Sequence, residues 1–237
     1  MSISPNLPGR LGNPRLDIKD DPRADPRMLA AMAMLEMDVA PPPSPVTAAN
    51  SIEELLAYFM EAEAGFNAFG DFVVSNTPPT TGIISRTEVI TGVDGNEINL
   101  YIHRPDGVDG PMPCIVHTHG GAMAILKASN PNYSRWRDDL AATGMVVVGV
   151  EFRNAAGELG PHPFPAGLND CASAAQWVVA NRVELGVSKV VMSGESGRWQ
   201  PVDCHRTEGK AGWLDQRHRW RLRAVPIHLK CLRRANR

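Results

Sequence analysis

The sequence predicts an α/β fold, a mostly parallel sheet with flanking helices. Three observations carry this. Short, nearly continuous apolar runs recur at 114–119 (CIVHTH), 145–152 (MVVVGVEF) and 189–194 (KVVMSG). Helical stretches lie between them, near 131–143 and from Pro165 towards Gly186. Strand–helix–strand–helix–strand order favours parallel pairing through right-handed crossovers. Apolar runs without alternation suit strands covered on both faces.

The elements follow in order. Residues 1–50 are rich in Pro, with PPPSP at 41–45, and read as an irregular arm around one short helix near 26–37. Ser51-Ile52-Glu53-Glu54 then forms a capping-box pattern. In it the hydroxyl accepts the Glu54 N–H and the carboxylate accepts the Ser51 N–H. Leu55, Leu56, Phe59, Ala62, Phe66 and Phe69 recur at helical spacing and mark the expected inner face of that helix. GIISRTEVITGVDGNEINLYIHRP alternates on both sides of Asp94-Gly95, which predicts a β-hairpin. Gly186 is the expected stop of the helix that begins at Pro165, and 189–194 is expected as a third buried strand. The organisation expected is 1–80 as arm and N-terminal helices, 81–197 as core, and 198–237 as an aberrant basic tail. There is no internal repeat.

Apolar residues make up 43% of the 237 and charged residues 21%, which excludes a disordered chain and a coiled coil. No apolar run reaches the roughly 18 residues of a membrane span. The start, MSISPNLPGRLGNPR, lacks the apolar core of a secretion signal. Cys114, Cys171, Cys204 and Cys231 are scattered without a C-x-x-C pair, so a reduced, cytoplasmic protein is expected. Charge is uneven. Residues 1–197 carry 13 Lys and Arg against 23 Asp and Glu, whereas 198–237 carry 11 against 3, together with three of the five Trp.

Two motifs could carry chemistry. Run 189–194 leads into Gly194-Glu195-Ser196-Gly197. In a G-x-S-x-G elbow the serine sits on a strained strand-to-helix turn with its Oγ exposed. Here Arg198 stands where the final Gly belongs, and Gly186-Val187-Ser188 shows that G-x-S alone is common. Upstream, run 114–119 closes on His119-Gly120-Gly121-Ala122, a loop whose backbone N–H groups can approach a carbonyl oxygen and stabilise an oxyanion. Alone it is a plain tight turn. Both motifs at strand ends, in this order, point to acyl transfer. Other residues have structural readings. His119 is expected to order its loop, and His162 in HPFPAG is expected to be structural. Asp170 reads as a surface or packing residue, His103 and His117 as lone strand histidines without ligand-like partners, and Cys171 as a small buried residue. No metal-ligand spacing and no phosphate-binding Gly loop is present, so no metal and no cofactor is expected.

HTHGGAM, EFRNA with HPFPAG, and VVMSGESG together resemble the hormone-sensitive-lipase branch of the α/β-hydrolases, which are carboxylesterases. The arm LPGRLGNPRLDIKDDPRADPRM, the Glu54–Phe69 helix and GVDGNEINLYIHRP resemble more specifically the brefeldin A esterase group of that branch. The resemblance covers essentially all of 1–197. It implies the α/β-hydrolase fold, an N-terminal helical cap over the acyl pocket, and hydrolysis of a small-molecule ester through an acyl-enzyme. Ser196 would be the nucleophile. The N–H groups of Gly121, Ala122 and Gly197 would form the oxyanion hole, with His119, Gly120, Gly194 and Glu195 supporting the motifs. The family usually has Gly where Ala122 stands, and a backbone donor survives that change. No nucleic-acid partner is expected, and a homo-oligomer is admitted without any residue specifying it.

The tail departs from this pattern. An elbow serine should be followed by a helix that is small and apolar in its first turns, but Arg198, Trp199 and Pro201 follow Gly197. In the family the triad acid and His lie far beyond the serine, so the chain as written is expected to be truncated, poorly folded and inactive. Synonymous codons can be chosen for Trp199–Gly212 so that reading one base later gives Gly-Asn-Leu-Ser-Ile-Ala-Thr-Ala-Leu-Lys-Ala-Lys-Arg, a helix of the required kind. His218–Asn236 treated likewise yields a buried-strand pattern, while Trp213–Gln216 fits the family in the given frame. A frameshift near codon 198, with more than one indel, is therefore expected. The competing reading is a non-enzymatic protein whose basic, Trp-bearing tail binds nucleic acid or acidic lipid. Against it stand the acidic body and the tail's lack of amphipathic periodicity. A third reading is a hydrolase relative kept as an inactive scaffold.

Overall fold

The computed structural model describes residue 13, residues 16–39 and residues 42–196. The expectations for Gly197 and for 198–237 lie outside these. The chain divides into two compact units, one ending at Asn50 and one starting at Ser51.

In the first unit Asp25 starts helix α1 (Pro26–Ala33). Its carboxylate accepts the Arg27 N–H at 2.8 Å, and Pro26 stands in the first turn, where its missing N–H costs nothing. The helix stops short of the expected 37, because the chain leaves the helical path and turns left-handed at Glu36 (φ 55°).

The second unit opens with α2 (Ile52–Ser75). Its capping box is reciprocal: the Ser51 hydroxyl accepts the Glu54 N–H at 3.2 Å, and Glu54 accepts the Ser51 N–H at 2.8 Å. The inner face differs from the expected one. Burial centres on Glu63 and Gly70, while Phe66 and Phe69 remain 57% and 41% exposed. Gly70 lies against Asn132, with its missing Cβ only 3.0 Å from the amide oxygen, and this close approach sets which side faces inward.

The hairpin follows as β1 (Ile83–Thr91) and β2 (Glu97–Pro105), turning at Asp94-Gly95 with Gly95 at φ 80°. Then come β3 (Met112–Thr118), α3 (Pro131–Ala141), β4 (Val146–Val150), α4 (Ala166–Ala180) and β5 (Val187–Gly194). The sheet order is β1-β2-β4-β3-β5. Strand β3 runs parallel to β4 and β5, and β2 is antiparallel to both its neighbours. Only β2 is therefore reversed, and the mostly parallel sheet of the sequence reading is present. Every residue of β4 is buried. Leu100, Val116, Val148 and Phe152 meet Cys171, Ala174 and Val178 of α4 in the main core. Burial there pushes the Cys114 thiol up to about 12.

Several expectations change. The α4 helix ends at Ala180, because the backbone N–H and side-chain amide of Asn181 both take the Trp177 carbonyl. Gly186 is instead the left-handed residue (φ 63°) of the turn before β5. Strand β5 is not buried on both faces: only Val187 is, and Val191 is 39% exposed, since among the described residues β5 has a strand partner on one side alone. His103 does have a partner, Asp138 Oδ1 at 2.7 Å from its Nδ1, and burial still holds its pKa below the usual histidine range. Asp170 is buried and takes three donor groups of Arg153 (N, Nε and Nη2, at 2.8–3.2 Å) plus the Asn96 amide at 3.0 Å. Arg153 also reaches Asp94 at 2.6 Å, so the hairpin turn is tied to α4 through one guanidinium. Arg137 is buried as well. It lies over Tyr101, donates to the Ala128 carbonyl at 2.8 Å, and occupies the space a Cβ on Gly149 would need; burial lowers its pKa to about 10. No helix among the described residues is long and apolar enough to cross a membrane.

The burial difference between core and edge is testable. Leu100→Ala, at a fully buried site, should lower the unfolding free energy by about 2–5 kcal/mol. Val191→Ala, on the exposed face of β5, should cost less than about 1 kcal/mol. Urea midpoints of the two variants check this.

Candidate active site

Strands β3 and β5 are neighbours, paired with His117 against Ser193 and Thr118 against Gly194. Their C-terminal ends therefore lie side by side, the position at which open parallel sheets bind ligands. The loop from His119 and the turn at Ser196 leave the sheet next to each other. They are joined by the Glu195 N–H donating to the Thr118 carbonyl at 3.3 Å.

Ser196 has φ 57°. A serine in the left-handed region is uncommon and is held there by its surroundings. The facing loop is more constrained still. Gly121 has φ 107°, and a Cβ on it would fall 2.2 Å from the Ile125 carbonyl oxygen. Ala122 (φ 56°), Met123 (φ 60°) and Leu126 (φ 75°) are also left-handed. The Gly121 carbonyl accepts N–H groups from Ala124 and Ile125. No described residue takes the N–H of Gly121 or Ala122.

The histidines of this region are buried. A carbonyl can only accept, so His119 carries its proton on Nδ1 and donates to the Gly120 oxygen at 2.8 Å. Its ring stacks on Phe152 with centroids 4.4 Å apart. This is the loop-ordering position expected from the sequence. His117 is not lone: its Nε2 stands 3.3 Å from Glu195 Oε1, and its ring lies on Trp136 at 4.3 Å. A Cβ on Gly120 would come within 3.2 Å of the Tyr133 hydroxyl. Among the described residues no group of three His, Cys, Asp or Glu could hold a metal ion.

A family model described as BD-FAE matches residues 100–197. Carboxylesterase NlhH of Mycobacterium tuberculosis is 32% identical over 126 residues, 51% of this chain and 37% of that protein. A solved structure titled brefeldin A esterase, a bacterial homologue of human hormone sensitive lipase, superposes with a TM-score of 0.80 at 42% identity. It covers 86% of this chain and 57% of that one. The chain has the α/β-hydrolase fold and is similar to the hormone-sensitive-lipase branch of that family. The structure of esterase Est22 is a further likeness, with a TM-score of 0.67 at 31% identity over 81% of this chain and 59% of that one. The chain thus spans little more than half of these solved α/β-hydrolases and about a third of NlhH.

Three supports of this α/β-hydrolase loop carry no motif of their own. The Glu151 carboxylate accepts the N–H groups of Ala128 at 2.6 Å and Ser129 at 3.2 Å. The Asn154 amide donates to the Leu126 carbonyl at 2.7 Å. Both residues lie within EFRNA, so their place after β4 was visible and their partners were not. Glu63, on α2, accepts the Leu126 N–H. A charged residue on a helix of mixed character reads as solvated, and no sequence signal distinguishes it.

Gly121→Ala should strain the loop, lowering stability by about 1–3 kcal/mol. Gly65→Ala, in α2 with open space around it, should raise it by up to about 1 kcal/mol. Chemical denaturation of both variants tests the contrast.

Proposed function

We propose that the protein is a serine carboxylesterase of small-molecule esters. The observation that carries this is the left-handed Ser196 at the end of β5, beside a loop whose Gly121 and Ala122 N–H groups have no described acceptor. Ser196 Oγ attacks the ester carbonyl. The oxyanion of the tetrahedral intermediate is received by the N–H groups of Gly121, Ala122 and Gly197. Collapse expels the alcohol and leaves an acyl-serine, which water then cleaves. A histidine must take the Ser196 proton and an acid must orient it. The two histidines nearest the loop are engaged elsewhere. His119 is committed to Gly120 and His117 to Glu195 and Trp136.

The likeness to NlhH, brefeldin A esterase and Est22, all named as esterases, supports the ester as substrate class. In this reading α2 is the inner wall of a cap. Cys114 and Cys171 are buried and form no disulfide among the described residues, which accords with a reducing, cytoplasmic setting. The reading also takes 198–237 as a stretch read out of frame, on the grounds of its charge and Trp excess and of the large residues directly after Gly197. The alternative, a non-enzymatic role, rests on the basic tail 198–237, which lies outside the described residues.

The test is hydrolysis of p-nitrophenyl butyrate by protein expressed from the resequenced gene, alongside the 237-residue chain. The resequenced product should turn over, and Ser196→Ala should reduce kcat by a factor on the order of 10⁶. The 237-residue chain should show little activity. Undiminished turnover by Ser196→Ala would refute the assignment.

A further inference from the structure

Helix α2 does more than stand near the HGGA loop. Leu56 and Phe59 pack on a small buried cluster that includes Ala124, Ile125 and Leu126, the second half of the loop. One turn further on, Glu63 is 1% exposed. One of its oxygens accepts the Leu126 N–H at 2.5 Å, and the other accepts the Glu158 N–H at 2.7 Å. The space around the carboxylate is closed: a Cβ on Gly157, itself at φ 65°, would lie 2.4 Å from Glu63 Oε2. A single side chain of α2 therefore fastens the loop after β3 to the loop after β4.

Burying a carboxylate is costly unless hydrogen bonds replace its water, and here two backbone donors do so. The geometry demands two acceptors on one group. A glutamine has one acceptor and would turn its NH₂ towards the other N–H. Leu126 is a bulky residue at φ 75°, and Met123, Ala122 and Gly121 precede it with positive φ. Such a run persists only where its surroundings over-determine it. Releasing the Leu126 N–H frees the end of the run, and the directions of the Gly121 and Ala122 N–H groups follow.

We propose that Glu63 is a positioning residue: through the Leu126 N–H it makes the seating of α2 a condition for a correctly aimed oxyanion hole. This rests on the esterase reading above. The cap helix is then coupled to transition-state stabilisation, in addition to walling the pocket. Oxyanion donors act on charge that develops in the transition state. Loss of the coupling therefore belongs in kcat and leaves ground-state binding alone.

The experiment compares wild type with Glu63→Gln in the full chain, by amide hydrogen exchange, and in the resequenced product by p-nitrophenyl butyrate kinetics as well. Exchange at 121–126 and at Glu158 should accelerate at least tenfold while β4 amides at 146–150 are unchanged. In the active protein kcat should fall by about 10- to 100-fold with KM within twofold. Glu63→Asp, too short to reach both loops, should not restore kcat. Unchanged exchange at 121–126, or equal acceleration through β4, overturns the proposal. So does unchanged kcat alongside a loosened loop, or a loss confined to KM. If wild type itself shows no ester turnover, the esterase reading fails, and the exchange pattern still decides whether Glu63 holds the loop.

Discussion

The structure turns on a backbone run that would not hold its shape alone. Between Gly121 and Leu126 four residues sit at positive φ, three of them with side chains. Each such residue costs of order 1–3 kcal/mol, so the loop must be held from outside. The holding groups come from two separate parts of the chain. Glu63 comes from α2, while Glu151 and Asn154 follow β4. Backbone bonds from Ala155 to Met123 and from Ala156 to Ala124 add a short ladder. The result is a non-repetitive segment whose first N–H groups, those of Gly121 and Ala122, have no acceptor among the described residues.

The sheet determines why this segment matters. Because β3 lies between β4 and β5, three successive crossover strands end at one rim. The loop leaves from β3, its supports Glu151 and Asn154 from β4, and Ser196 from β5. Polar contacts tie neighbouring segments to one another here. Arg153 binds Asp170 and Asp94, and Arg137 fills the slot left by Gly149. The Arg153 network keeps Asp94 below the usual carboxylate range. These charges sit where replacement by an unpaired partner would leave a buried ion without compensation.

Much of this was legible in the sequence. The Asp94-Gly95 hairpin, the Ser51 capping box, the β4 run and the strand-end motifs each rest on local chemistry, and local chemistry is what residue patterns record. What could not be read depended on contacts across distance. Glu63 looks like a solvated charge until Leu126 and Glu158 meet it 63 and 95 residues later. His117 and His103 looked unpartnered because Glu195 and Asp138 reach them from other elements. Periodicity placed Phe66 and Phe69 on the inner face of α2, whereas the close approach at Gly70 decides which side turns in. Gly186 carried the signal of a helix end, but Asn181 closes the helix first. The strain at Met123 and Leu126 had no sequence signal at all, since neither residue type favours positive φ.

The central claim is that the constrained Ser196 is a nucleophile aimed at an ester held by the Gly121–Ala122 loop. It is tested most directly by treating protein expressed from the resequenced gene with diethyl p-nitrophenyl phosphate and mapping the adduct by peptide mass spectrometry. The account predicts a single diethylphosphoryl group, on the peptide bearing Ser196, with matching release of p-nitrophenol and loss of ester hydrolysis. A label on a different serine, or hydrolysis that continues once Ser196 is blocked, would contradict it.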